Sequence, residues 1–123
     1  MEAKKMYIGG EWVTGSMAKT FDVINPATGE VIDKVYESSV EDTRLAIAAA
    51  KKSFYETREW RDMDSQTRGD IILKIADLIE KYADELAMMD TLDNGKPLRE
   101  AEGDISDGIH CFRYYAGLCK TPH

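Results

Sequence analysis

Asn94-Gly95-Lys96-Pro97 places a glycine beside a lysine, the pair with which a P-loop holds phosphate. A P-loop also needs a glycine five residues before that pair and a serine or threonine after the lysine. Asp90 and Pro97 stand at those positions, and proline has no backbone N–H to offer an anion. The stretch is better read as punctuation: Gly95 closes one helix in the left-handed conformation, and Pro97 opens the next at its first position. Gly9-Gly10 with Gly15 has the wrong spacing for a dinucleotide fingerprint, and no helix follows it. His110-Cys111 suggests metal ligation, but neighbours on a helix point about 100° apart, and the other histidine is the terminal His123. A nucleophilic cysteine needs a base or a helix N-terminus to hold its thiolate. Cys111 and Cys119 fall late in a predicted helix, so packing or surface thiols are expected. Glu100, Glu102, Asp104 and Asp107 read as a solvated face and helix-dipole partners rather than an acid/base pair.

The elements that would carry these residues follow from the change of hydrophobic period. Met6–Val13 alternates around Gly9-Gly10, a hairpin signal. Phe21–Tyr36 repeats it, with Asn25-Pro26 and Thr28-Gly29 marking the turn. Ser39-Val40-Glu41-Asp42 then resembles a capping box, with aspartate at the third helical position. The first helix carries Val40, Thr43, Ala46, Ile47, Ala50 and Phe54 on one face, and Trp60 lies past its end. A second helix is predicted from near Ser65, with Arg68, Ile72, Ile75, Ile79 and Tyr82 in one stripe. A third spans Asp84–Leu92, and the sequence leaves open whether it continues the second as one bent helix. The fourth, Pro97–Leu118, has Leu98, Ala101, Ile105, Ile109, Phe112 and Ala116 in register. The fold class is thus α+β: two hairpins, then about four helices.

At 123 residues the chain has the size of one domain, and a 43% hydrophobic content allows a core. Sixteen basic against 23 acidic residues give a net charge of −7, which argues against nucleic acid or an anionic membrane as partner. No apolar run is long enough to span a bilayer, and the start MEAKKMYIGGEWV does not read as a signal peptide. Free thiols in a reducing cytoplasm are therefore expected.

Several segments in order carry a more specific message: YIGGEWV, FDVINPATGEVI, AIAAAKKSF, RGDIILKIADLIE, DELAMMDTLDNGKP and FRYYAGLCK. From about Tyr7 to Lys120 the chain resembles the amino-terminal part of the NAD(P)-dependent aldehyde dehydrogenase superfamily. The resemblance implies a truncated piece of an α/β coenzyme-binding domain, with residues 1–36 as a β-hairpin arm and residues 37–123 as its helical part. The full enzyme would oxidise an aldehyde to an acid through a cysteine thiohemiacetal, passing hydride to NAD or NADP. The catalytic cysteine, general base, oxyanion donor and nicotinamide site of the family all lie beyond this region. None is placed on this chain, so no catalytic and no cofactor-binding residue is assigned, and the piece alone is expected to be inactive.

Two finer roles are implied by the same resemblance. A monovalent cation would bind near the backbone carbonyls of Val23 and Ile24 and the side chain of Asp93; strand-end carbonyls and a carboxylate suit a hard cation. The alternative for Asp93 is a helix-end residue bonding nearby backbone. Gly103 and Asp107 would line part of the substrate-tunnel mouth, and their small or polar character argues against a preference for greasy aldehydes. The implied partners are the remainder of the same polypeptide, an aldehyde substrate and further copies in a homo-oligomer. The rivals are a free-standing helical interaction module with a β arm, and an inactive paralogue.

Overall fold

The computed structural model describes residues 2–121 and divides the chain into two compact units, Met1–Asp62 and Met63–His123. The change from strands to helices near Tyr36 falls inside the first unit.

In the first unit, strands β1 (Met6–Ile8) and β2 (Glu11–Val13) pair antiparallel, with Tyr7 opposite Trp12. Gly9 (φ 63°) and Gly10 (φ 92°) form the loop, since a tight hairpin that follows the strand twist needs positive φ at both central residues. The Tyr7 and Trp12 rings pack at 5.0 Å. Strands β3 (Thr20–Ile24) and β4 (Val31–Tyr36) form a second antiparallel pair. Asn25 closes their turn. Its Oδ1 accepts from the Ala27 amide at 2.9 Å, and its carbonyl accepts from Gly29, which adopts φ 76°. The segment before β1 runs along β4, with the Lys4 amide donating to the Lys34 carbonyl at 2.7 Å. Both predicted hairpins are present.

Helix α1 (Val40–Lys52) starts at the capping box read from the sequence: Ser39 Oγ accepts from the Asp42 amide, and Asp42 accepts in return from the Ser39 amide. The chain then makes a π-helical turn over Ser53–Thr57 and is stopped by Arg58 at φ 58°. After that residue the backbone re-enters a helix, so Trp60, past the end of α1 as predicted, lies in the short α2 (Glu59–Asp62). The predicted apolar face of α1 is not buried by this chain. Val40 is 70% exposed and Ile47 and Phe54 about half exposed, because the sheets among the described residues are two-stranded hairpins, too narrow to cover a helix.

The described residues of the second unit form three helices: α3 (Ser65–Lys81), α4 (Ala83–Asn94) and α5 (Leu98–Leu118). Asp64 caps α3 by accepting from the Thr67 amide at 2.9 Å, and the Thr67 hydroxyl, then its amide, hold the carboxyl below the usual range. Helices α3 and α4 are separated by Tyr82 alone, at φ −107° and ψ 18°, and the Leu86 amide still reaches the Tyr82 carbonyl at 3.0 Å. The two are therefore successive helices joined by a bend. Helix α5 packs on both.

The buried residues of α5 lie on its predicted stripe, whereas those of α3 do not. Buried are Gly69 and Ala76 on α3, Ala87 on α4, and Ala101, Ile109 and Ala116 on α5. Of the stripe predicted for α3, Ile72 and Ile79 are half-buried, and Ile75 and Tyr82 are exposed. Small residues hold the centre because they let the helix backbones approach closely. A Cβ at Gly69 would lie 2.9 Å from the Ala116 carbonyl oxygen. Ion pairs edge this packing: Arg113 on α5 reaches Glu80 at 2.6 Å and Asp77 at 3.4 Å, and Lys120 reaches Asp70 at 2.5 Å. Glu80 is accordingly held below, and Arg113 above, its ordinary pKa. Among the described residues no helix is long and apolar enough to cross a membrane.

Candidate functional site

Asn94-Gly95-Lys96-Pro97 is a helix-to-helix turn. Gly95 ends α4 at φ 80°, with its amide donating to the Thr91 carbonyl at 2.9 Å. Pro97 is not the first helical residue, as the sequence reading had it, but the residue before it. Its ψ of 140° is extended, Leu98 begins the helix, and the Pro97 carbonyl takes the first helical hydrogen bonds, from Glu100 and Ala101. The Asn94 side chain is engaged at both ends: Nδ2 donates to Asp90 at 2.7 Å, and Oδ1 accepts from the Lys96 amide at 2.8 Å. The Lys96 ammonium pairs with Asp90 at 3.0 Å and with Asp104 across the turn. Those two carboxylates, Asp104 first, raise its pKa. A lysine already neutralised by two carboxylates is a poor phosphate ligand, so the side-chain chemistry agrees with the absent P-loop pattern.

Val23 and Ile24 adjoin one another at the end of β3, where the pairing with β4 skips Ile32. Such a bulge disrupts the regular ladder of backbone bonds. Asp93 lies in the last turn of α4, in the second unit, and is exposed. Gly103 and Asp107 lie one turn apart on an exposed side of α5, and nothing lies within 4 Å of a Cβ built on Gly103.

His110 and Cys111 are exposed on α5, while Cys119, at its end, is half-buried beside Gly69. No group of three His, Cys, Asp or Glu residues among the described residues could hold a metal ion. Pro122 and His123 lie outside the described residues. Positive-φ glycines sit in antiparallel hairpins, in the loop before β3, or before Pro97, and none opens a helix with free amides. These residues therefore do not fit a dinucleotide pyrophosphate.

The most connected polar side chain of the first unit was legible only as a helix cap. Asp42 is 4% exposed, and its carboxylate also accepts from the Ser16 amide at 3.0 Å. Together with the Ser39 amide at 2.9 Å and hydroxyl at 2.8 Å, this joins the loop after β2 to the start of α1. The Ser39 amide and hydroxyl, and then Ser16, hold the Asp42 carboxyl below its ordinary pKa against the opposing effect of burial.

A family model described as aldehyde dehydrogenase family matches residues 12–123. The chain belongs to the aldehyde dehydrogenase family. It is 42% identical over 118 residues to an aldehyde dehydrogenase of Aspergillus niger, covering 96% of this chain and 23% of that protein. It is 41% identical over 120 residues to human mitochondrial aldehyde dehydrogenase, covering 97% of this chain and 23% of that protein. The structure of betaine aldehyde dehydrogenase from Staphylococcus aureus in complex with NAD+ superposes with a TM-score of 0.93 at 41% identity. That match covers 98% of this chain and 24% of the other. The chain thus spans about a quarter of the length of the aldehyde dehydrogenases it matches, and its hairpins and helices correspond to their amino-terminal part.

Proposed function

We propose that this chain is the amino-terminal segment of an NAD(P)-dependent enzyme that oxidises aldehydes to carboxylic acids. The observation that carries this reading is the 0.93 TM-score, over nearly the whole chain, to an aldehyde dehydrogenase in complex with NAD+. The segment's own task is structural: residues 1–36 form an arm, and residues 37–123 form the helical part of the coenzyme-binding domain. The uncovered faces of its helices fit that task, since Val40, Ile47, Phe54, Leu78 and Tyr115 are exposed in this chain. Exposed apolar surface of this kind marks partners, and here the partner is the remainder of the same polypeptide. The complete enzyme is read as a cytoplasmic homo-oligomer. Bound coenzyme supplies the hydride acceptor; the segment contributes shape and no reacting group.

The expected result is a clean division of activity. The 123-residue chain should neither bind NAD or NADP nor reduce either with an aldehyde, whereas the complete polypeptide should do both. Titration calorimetry tests the first half and NADH absorbance the second. Saturable coenzyme binding by the segment, or turnover lost in Cys111→Ser, would overturn the division. The absence of aldehyde oxidation by the complete polypeptide would overturn the function.

Within the complete enzyme, Val23 and Ile24 carbonyls and the Asp93 carboxylate form our candidate monovalent-cation cage, and Gly103 and Asp107 line the tunnel mouth. Oxygen donors of this kind suit potassium or sodium. Asp93→Ala should flatten the rise in melting temperature with added potassium. Superimposable potassium titrations of the two proteins would remove Asp93 from the cage.

A further inference from the structure

Asn-Gly is the dipeptide in which a side-chain amide is most open to attack by the next backbone nitrogen, because glycine has no side chain to obstruct the approach. We propose that Asn94 is a site of spontaneous deamidation, held off by the closed turn between α4 and α5. In the reaction the Gly95 nitrogen loses its proton to base and attacks Asn94 Cγ. A C–N bond forms, the bond from Cγ to Nδ2 breaks, and the side-chain nitrogen leaves as ammonia. Water then opens the cyclic imide at either carbonyl, giving aspartate or isoaspartate at position 94.

Each requirement of that step is opposed by a named contact. The attacking nitrogen is engaged, since the Gly95 N–H donates to the Thr91 carbonyl at 2.9 Å. Asn94 is the last residue of α4, and a helical backbone directs the following nitrogen back along the helix rather than toward its own Cγ. The amide cannot rotate freely, because Nδ2 is held by Asp90 at 2.7 Å and Oδ1 by the Lys96 amide at 2.8 Å. Lys96 joins Asp90 to Asp104, so the amide, the turn and the start of α5 form one linked set. Asn94 and Gly95 are exposed, so water and base reach them as soon as the set opens.

The product cannot restore the turn. Where an N–H donated to Asp90, a carboxylate would face it, and isoaspartate would add a backbone atom at the end of α4. Asn94 is thus a one-way record of how often this turn opens.

The test is the rate of deamidation at Asn94 in the complete polypeptide, measured by peptide mapping and mass spectrometry in mildly alkaline buffer. Native protein should react at least about tenfold more slowly than the same protein unfolded in urea, because the rate follows the open population. Lys96→Met and Asp104→Asn each remove a link, and each should raise the native rate on the order of fivefold. Equal rates in native and unfolded protein would overturn the proposal without any variant. Folded variants that react no faster than the unaltered protein would overturn the role of the Lys96 link.

Discussion

Replacing Gly69 with leucine should destabilise the three-helix unit by about 3 kcal/mol, the upper part of the usual range for overpacking. A Cβ at this position would stand 2.9 Å from the Ala116 carbonyl oxygen and 3.1 Å from Cys119 Cβ. The first neighbour is helix backbone, which cannot turn aside as a side chain can. Accommodation would require α5 to move off α3, and with it Ala76, Ile109 and Ala116 would lose their cover. Leucine is the better helix former, but that gain is under about 1 kcal/mol and does not offset the displacement. Gly103→Ala is the matched control. Nothing lies within 4 Å of a Cβ there, so the propensity gain should appear alone, as about 1 kcal/mol of added stability. Urea unfolding of the chain at low concentration, followed by circular dichroism, measures both. A Gly69→Leu protein as stable as the original would show that the approach of α3 and α5 is loose.

Asp42→Asn should produce the largest loss of stability among the carboxylate substitutions of the first unit, and one that shrinks in acid. Both oxygens of Asp42 accept hydrogen bonds, from the Ser16 amide on one side and from the Ser39 amide and hydroxyl on the other. Asparagine turns one acceptor into a donor that must face another donor. Because the folded carboxyl titrates below its unfolded value, its contribution is complete above the ordinary carboxylate pKa of about 4. The contribution is lost as the pH falls through the folded value. The two proteins should therefore differ most near neutrality and converge in acid. Asp64 and Glu80 also titrate low, so both proteins lose stability in acid, and only their difference isolates Asp42. Urea midpoints of both proteins from neutral pH to about pH 3 supply that difference. Parallel curves would mean that the carboxylate of Asp42 does not carry the joint.

What the sequence could show was local. Gly9-Gly10 required positive φ at both loop positions, Ser39 and Asp42 sat at the spacing of reciprocal caps, and Gly95 before a proline marked a helix end. Each depends on a few adjacent residues, and each element stands where it was read. The order of motifs also identified the family, because many weak local signals in one order are specific together.

Tertiary structure decided which side chains are inside. Hydrophobic period placed Ala101, Ile109 and Ala116 of α5 correctly, but on α3 it pointed to Ile72, Ile75 and Ile79, whereas the residues buried there are Gly69 and Ala76. Period reports the apolar side of a helix; how closely two backbones approach depends on the partner helix. The seven-residue step from Gly69 to Ala76, and the steps from Ala101 to Ile109 to Ala116, were the available signal of close packing. The joining of Ser16 to Asp42, 26 residues apart, and of Arg113 to Glu80, 33 apart, is likewise set by the fold. Hydrogen bonds over such separations leave no local pattern, because they exist only once packing has brought distant segments within about 3 Å.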